Sequence, residues 1–514
     1  MNTFFLSELV PPNANLTIIL PEMIVAIAGV VVMIYDSYFP KQRAVSGVIA
    51  LLGLVASGVM LAMSWGSAAP ANAWGGMIAH DNLRLSFSFV FLFVSAMTVL
   101  ISTVWVERED VPAGEYHALL LFATFGMMMM SAGNDLVVIF LGLETLSIAT
   151  YVMAGLRKAD LRSNESAMKY FILGSFASAF LLYGMALTYG ATGETNLTAI
   201  AQKMSDPNFP ALLLIGAAMM IIGFGFKIAM APFHVWTPDV YEGAPTPITG
   251  FMAAGPKAAA FASFMRVFVL GFPLVAGVQV SGYLHTTWIT TVAVLAMLTI
   301  IVGNVAAIMQ SSVKRMLAYS SIAHAGYALV GFVGAGLSTT TEQRDTAIAA
   351  VAFYMLTYAV TNLGAFAIVT LLSQKNDRRT EFEDYNGIGF RSPVLAFSLS
   401  LFMLSLLGMP LTAGFIGKVL VFRPALEAGN TMVTILVVVA VLGSAISAYY
   451  YLRLIVVMFF KDRTSDWHTP KMAAPLTAAL VITVLGVFYF GIFGDSVISK
   501  FAQSPAAGIV RAEK

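Results

Sequence analysis

About fourteen apolar stretches divide this chain, each long enough to cross a bilayer as a helix. They lie near 16–35, 44–64, 85–106, 116–132, 135–156, 165–190, 209–230, 247–270, 287–309, 313–336, 345–373, 393–421, 431–460 and 473–496. A helical span needs roughly 20 such residues. The polar segments between them are short, and none could fold alone. The pattern predicts an all-α integral membrane protein, a single polytopic domain over 1–514.

Two stretches are interrupted. The seventh runs on through KIAMAPFHVWTPDVYEGAPTP, where Pro232 removes a backbone donor from an apolar run. The twelfth contains LLGMPLTAGFIGK, with Gly408, Pro410 and Gly414. Broken helices at matching places in two halves point to a transporter built from inverted repeats. The breaks are five spans apart, and an odd offset reverses orientation. Spans 4–8 (116–270) and 9–13 (287–460) are therefore the expected inverted repeats.

Loop charge sets the orientation. With both termini outside, the inner loops hold Lys41, Arg43, Arg108, Arg157, Lys158, Arg162, Lys314, Arg315, Lys375, Arg378, Arg379, Arg391, Lys461, Arg463 and Lys471. The outer side holds about half as many: Arg84, Lys203, Arg344, Arg423, Lys500, Arg511 and Lys514. The 65–81 loop has no Lys or Arg and fits the outer face.

Composition narrows the chemistry. Hydrophobic residues make up 59% of the chain and charged residues 11%, less than half the share of a soluble domain. The net charge of +1 offers no field for nucleic acid. With no cysteine, this chain makes no disulfides and holds no cysteine-ligated cluster. The six histidines lack metal-ligand spacing, and there is no dinucleotide fingerprint or P-loop. Any nicotinamide, flavin or cluster would belong to other chains. Met1–Val10 lacks a basic stretch, so no cleaved signal peptide is expected.

The ionisable residues inside the spans carry the functional signal, since each costs about 2.5–3.5 kcal/mol to insert. Glu144 lies nine residues beyond Asp135, roughly 13 Å into its span. Lys227 just precedes the seventh-span break. Lys257 lies about 15 Å beyond Pro247, and Lys418 follows the twelfth-span break. Lys169 is shallower, and snorkelling to the headgroups competes evenly with a functional role. The other three lysines are too deep for that. Their bland alternative is a static salt bridge or a carbonyl cap. Burial weakens a lysine's hold on its proton and a nearby carboxylate strengthens it. A lysine with a movable glutamate partner is thus a proton site of two affinities. His324, mid-span, could bridge Lys257 and Lys418, or simply bond to Ser320, Ser321 or Tyr319. His234 could satisfy carbonyls freed at Pro232. The methionine run 127–130 reads as core packing.

Here the motifs match a known family. The run KIAMAPFHVWTPDVYEGAPTPITGFMAAGPKAAAF resembles subunit N of bacterial respiratory complex I, the NADH:quinone oxidoreductase. So do LGLETLSIATYVM, AMKYFILGSFASAFLLYG and VKRMLAYSSIAHAGYALVG, in consistent order over roughly 116–425. Subunits L and M and the cation/proton antiporters share the Lys–Pro–His–Trp framework but diverge where this chain has TPDVYEGAPTP. A lysine at 418 fits subunits N and L, and the absence of a long lateral helix after the last span favours N.

The resemblance implies a proton-translocating subunit of the membrane arm, in a bacterial inner membrane among the other complex I subunits. NADH, quinone, FMN and iron–sulfur clusters would be bound by those other subunits, with no cofactor in this chain. It implies Glu144 and Lys227 as a coupled pair, Lys257 as the central site and Lys418 as the site nearest the outer exit. Lys169 matches a further membrane-embedded lysine. Two other readings remain at this point: a subunit of a multisubunit Na⁺/H⁺ antiporter, and a packing spacer that moves no proton.

Overall fold

The computed structural model describes residues 15–65, 73–205, 211–275, 278–462 and 472–502. The 66–72 part of the outer loop, residues Met1–Val10, and Arg463, Lys471, Arg511 and Lys514 lie outside the described residues.

The regular structure among the described residues is helical, apart from isolated bridges. The long helices are α1 (Leu16–Tyr38), α2 (Arg43–Met63), α3 (Asn82–Arg108), α4 (Ala113–Ala132), α5 (Leu136–Ala154) and α6 (Leu161–Thr192). After them come α7a (Leu212–Ile228), the short α7b (Thr237–Gly243), α8 (Thr246–Met265), α9 (Gln279–Ile308), α10 (Val313–Leu337) and α11 (Thr341–Leu372). The chain closes with α12a (Pro393–Leu407), α12b (Ala413–Glu427), α13 (Thr431–Phe460) and α14 (Ala474–Ala502). Eleven helical segments are long and apolar enough to cross a membrane, among the described residues. The chain is a multi-pass membrane protein.

Hydropathy explains the helices, and polar caps explain many of their starts. Asp81, Asp135, Asp160, Ser312, Thr340 and Asn430 each accept a backbone N–H in the first turn of the helix that follows. Such caps satisfy donors that lipid cannot. Burial then sorts the helices. The apolar windows of the spans that contain α8 and α11 are 100% buried and that of α10 is 94%, whereas those of α13 and α14 are 33%. So α8, α10 and α11 form the centre, and the outer helices turn large apolar side chains such as Leu52, Phe176 and Leu485 outward. In a bilayer those faces need no further cover. Met127, Met128 and Met130 are fully buried core residues.

Both expected breaks are present. After α7a, Ala229 turns into the left-handed region at φ 61° and the chain leaves helical geometry until α7b. The freed groups find partners inside the protein. The Trp236 indole N–H donates to the Phe226 carbonyl at 3.0 Å, and the Ala231 N–H donates to Thr299 Oγ1 at 2.9 Å. After α12a, Gly408 takes φ 93°. Gly414 must be glycine for a different reason from Gly408: a Cβ there would sit 1.8 Å from the Ser405 carbonyl oxygen.

Several loop charges are not solvent-facing. Arg84 is 1% exposed, and its guanidinium is forked onto Glu22, itself 1% exposed within α1. Asp377 is likewise buried: its Oδ2 accepts from Lys314 and from the Thr246 N–H, and it forms an ion pair with the Arg157 guanidinium at 3.1 Å. Arg157 and Lys314 also donate to the Gly243 and Ala244 carbonyls at the end of α7b. The knot therefore clamps α7b to the ends of α5, α10 and α11.

Candidate functional site

Three of the deep lysines are buried, at 3–6% exposure. The Lys227 Nζ donates to Ser147 Oγ at 2.6 Å and lies 3.4 Å from the Tyr151 hydroxyl, both on α5. The Tyr151 and Tyr170 rings face it at 5.2 and 5.5 Å. Glu144 stands one turn before Ser147, half-buried, and accepts from the Ser178 hydroxyl at 2.5 Å. It lies within electrostatic reach of Lys227. The two form no ion pair: Ser147 stands where a carboxylate partner was expected.

Lys257 follows Pro256 inside α8 and donates to Ser321 Oγ at 2.6 Å and to the Ser321 carbonyl at 3.1 Å. The Tyr241 ring lies 5.6 Å away. Among the described residues no carboxylate pairs with this ammonium. Its surroundings are hydroxyls, a carbonyl and ring faces, which can hold a cation yet exert no fixed counter-charge.

Lys418 sits on α12b and reaches back across the break. Its Nζ donates to the Leu406 and Leu407 carbonyls at 3.0 and 2.8 Å and to Ser444 Oγ at 2.7 Å. Those carbonyls end α12a, where the helix dipole favours a cation. The carbonyl cap is therefore real, and it coexists with deep burial.

His324, on α10, is buried in the same core. Its bonds are not to Ser320, Ser321 or Tyr319. Nδ1 is 2.7 Å from the Tyr354 hydroxyl, and Nε2 is 3.2 Å from the Tyr451 hydroxyl. Both the Lys418 and Lys257 ammonium groups are within electrostatic reach of the ring.

Lys169 is not part of the buried set. Its side chain is 41% exposed and pairs with Glu165 at 2.7 Å and Asp239 at 2.9 Å. Asp239, on α7b, also receives Arg315, which reaches Glu242 as well. A cavity of about 130 Å³ opens here, lined by Lys169, Asp239, Glu165, Glu242 and Arg162 among others. Next along α6, Tyr170 stacks on Trp236 at 4.5 Å. His234 has a buried Nδ1 with no partner and faces the Pro232 backbone.

Sequence reasoning missed the hydroxyl partners Ser147, Ser178 and Ser444, and the tyrosines 151, 354 and 451. A weak signal existed for Ser147, three residues after Glu144 and so on the same helix face. Glu22 carried the same signal as Glu144, a carboxylate inside an apolar stretch, and was also missed.

Buried lysines at broken helices in an all-helical membrane bundle define an antiporter-like membrane subunit, and the comparisons agree. Residues 133–447 match the membrane family described as NADH:quinone oxidoreductase/Mrp antiporter, TM. The chain belongs to this family. Its curated relatives include subunit N proteins. NADH-quinone oxidoreductase subunit N of Trichlorobacter lovleyi is 44% identical over 95% of this chain and 96% of its own length. The Chloroflexus aggregans subunit N is 38% identical over 97% and 99%. Among solved structures, a chain of respiratory complex I from Thermus thermophilus is 34% identical, with a TM-score of 0.76 over 93% of this chain and 98% of that one. A chain of the Mrp complex from Dietzia, 17% identical with a TM-score of 0.78 over 95% and 97%, shares the fold.

Proposed function

We propose that this chain is the N-type proton-translocating subunit in the membrane arm of a bacterial NADH:quinone oxidoreductase. It resides in the inner membrane beside other membrane-arm subunits. Electron transfer from NADH to quinone takes place in partner subunits that carry FMN and iron–sulfur clusters. The relatives' shared name, matched over nearly the full chain, carries the assignment to this complex. The burial of Lys227, Lys257 and Lys418 without a paired carboxylate among the described residues supports the proton role. A lysine held only by hydroxyls, carbonyls and ring faces can lose its proton without stranding a buried anion.

The proton path in this reading runs from Lys227, with Glu144 as its tuning charge, through Lys257 and His324 to Lys418. Lys169 and the Asp239 network line its inner approach. The path follows a pseudo-symmetric frame of fourteen spans, with 116–270 and 287–460 as inverted repeats. Two features support the repeats. The first residue of α5 bonds to the Thr195 carbonyl, and the first residue of α10 bonds to the Thr380 carbonyl, in each case just past the helix that follows. The position nine residues after each cap (135 to 144, 312 to 321) is Glu144 in one half and Ser321 in the other. These are the tuning carboxylate of Lys227 and the direct partner of Lys257.

The rival within the family is a subunit of a cation/proton antiporter. Affinity purification of the tagged chain from its native membrane separates the two. Co-purifying flavin and iron–sulfur chromophores with NADH-oxidising activity is the expected result. A complex free of both refutes the assignment.

A further inference from the structure

Lys257 divides α8 into two unlike halves. Toward the α7b end the surroundings are polar. Ser321 and the Tyr241 ring meet the ammonium, and two turns back the Thr249 hydroxyl donates to the Tyr241 carbonyl at 2.8 Å. Toward the other end, residues 258–270 hold only two polar side chains, Ser263 and Arg266. Both are tied to the end of α4. Ser263 Oγ donates to the Met130 carbonyl at 3.0 Å. Arg266 donates to the Ser131 carbonyl at 3.0 and 2.8 Å and forks onto Asp81 at 2.7 and 2.8 Å. Two helices packed on α8 are equally bare. There is no polar side chain on α7a from Leu212 to Phe226, and none on α10 from Ala328 to Leu337.

Aromatic rings fill this region. Phe264 lies two turns, roughly 10 Å, beyond Lys257. It stacks on Phe224 of α7a at 5.3 Å and on Phe332 of α10 at 4.2 Å. Phe268 stands edge-on to Phe264 at 4.9 Å. Trp288 of α9 meets both Phe268 and Phe332 at 5.7 Å. All five rings are at most 1% exposed. They bridge α7a, α8 with the turn that ends it, α9 and α10. Phe224 is also only three residues from Lys227.

We propose that Phe224, Phe264, Phe268, Trp288 and Phe332 form a dry aromatic barrier that shuts Lys227 and Lys257 off from the outer aqueous phase. This rests on the proton-path reading above and on the orientation that loop charge predicts, which makes this end of α8 the outer one. A proton needs water or a polar side chain at each step. Packed rings offer neither, and apolar space inside a protein stays dry. Hydrophobic constrictions close ion paths in this way. The gradient that pumping builds drives protons back from outside. A lysine wetted from both sides at once would let them return, so the layer turns uptake into one-way transfer.

The test reads leak, not turnover. The intact complex is reconstituted into liposomes with a pH dye inside and no NADH. Valinomycin and a potassium gradient then impose an inward-driving potential. Phe332→Asn places an amide in the layer and opens space that water can enter. Phe332→Leu keeps the layer apolar. The barrier predicts several-fold faster proton entry for Phe332→Asn than for wild type, with Phe332→Leu as tight as wild type. An assembled Phe332→Asn complex as tight as wild type overturns the proposal. So does a Phe332→Leu complex that leaks as fast as Phe332→Asn, since shape and not dryness would then be the barrier. If Phe332→Asn fails to assemble, ordered water in a high-resolution map of the wild-type complex decides. Water confined to the Lys257 side of the Phe264–Phe332 stack supports the barrier, and a file of waters passing the stack to the outer surface overturns it. Lys227→Ala, assayed in parallel for NADH-driven pumping, separates the two claims. If Phe332→Asn is tight while Lys227→Ala is inactive, the barrier alone fails. If Lys227→Ala pumps normally, the proton-path reading fails and the barrier with it.

Discussion

The Lys227 ammonium donates to Ser147 Oγ at 2.6 Å, one turn along α5 from Glu144 and not to Glu144 itself. Glu144 is held apart by Ser178. The carboxylate therefore acts on the lysine through its field, with a serine hydroxyl between them in the chain.

Removing Ser147 Oγ deletes a hydrogen bond to a charged group, worth about 1.5–3 kcal/mol. Ser147→Ala is expected to slow proton pumping about tenfold or more while the complex assembles normally. Glu144→Gln is expected to be more harmful than Glu144→Asp, which keeps the charge and shortens the reach by one carbon. Pumping rates of the three variants in sealed vesicles check this. A neutral Ser147→Ala beside an inactive Glu144→Gln would mean that the carboxylate reaches Lys227 directly.

A pair of substitutions pulls apart the cap that Lys418 forms and the proton role proposed for it. Lys418→Ala leaves the Leu406 and Leu407 carbonyls uncapped at the break, a cost of about 1–3 kcal/mol. Lys418→Arg keeps the charge and the donors but barely releases a proton near neutral pH. The arginine variant is expected to assemble and fail to pump, and the alanine variant to show both defects. Native-gel assembly and pumping are the readouts. An arginine variant that pumps normally would reduce Lys418 to a cap.

Asp377 tests the inner knot. Burial alone would raise its carboxyl, but Lys314 and Arg157, with Thr246 and Ser373, hold it down at about 2. Because the folded-state value lies below the ordinary one, this stabilisation is fully present above roughly pH 4. It fades as pH falls through about 2. Asp377→Asn strands two buried cations, which costs about 3–5 kcal/mol. The variant is expected to lower the Tm of the detergent-solubilised complex at pH 7, and a Tm within error of wild type would contradict the knot.

Orientation is testable because the chain has no cysteine of its own. Ala159 and Lys203 are both exposed and lie on either side of α6. Ala159→Cys is expected to react with an impermeant maleimide only from the inside, and Lys203→Cys only from the outside. Labelling of both from one side would break the fourteen-span topology.

Much of the fold was legible because membrane helices are written locally. The 431–460 stretch coincides with α13, and 313–336 falls one residue short of α10. Both breaks were readable from Pro232 and from Gly408 and Gly414, whose backbone effects need no tertiary context. The depth of Lys227, Lys257 and Lys418 was readable from rise per residue. Their partners were not: Ser147 is 80 residues from Lys227 and Ser321 is 64 from Lys257. Such contacts depend on how helices rotate against one another, and any of many hydroxyls could have served. Loop charge gave a side of the membrane and not a degree of burial. Arg84, Arg157 and Lys314 lie at span ends, and packing buries them against Glu22 and Asp377. Lys169 was read as shallower than the other lysines, and its partners Glu165 and Asp239 hold it beside an open cavity.

The central claim is that this chain conducts protons through Lys227. The most direct test is the proton-per-electron ratio of the intact Lys227→Ala complex in sealed vesicles, with assembly verified by native gel. The expected result is full assembly with proton pumping and coupled quinone reduction abolished or reduced at least about tenfold. A fully assembled variant that pumps at the wild-type ratio would contradict the account and leave the subunit as a structural spacer.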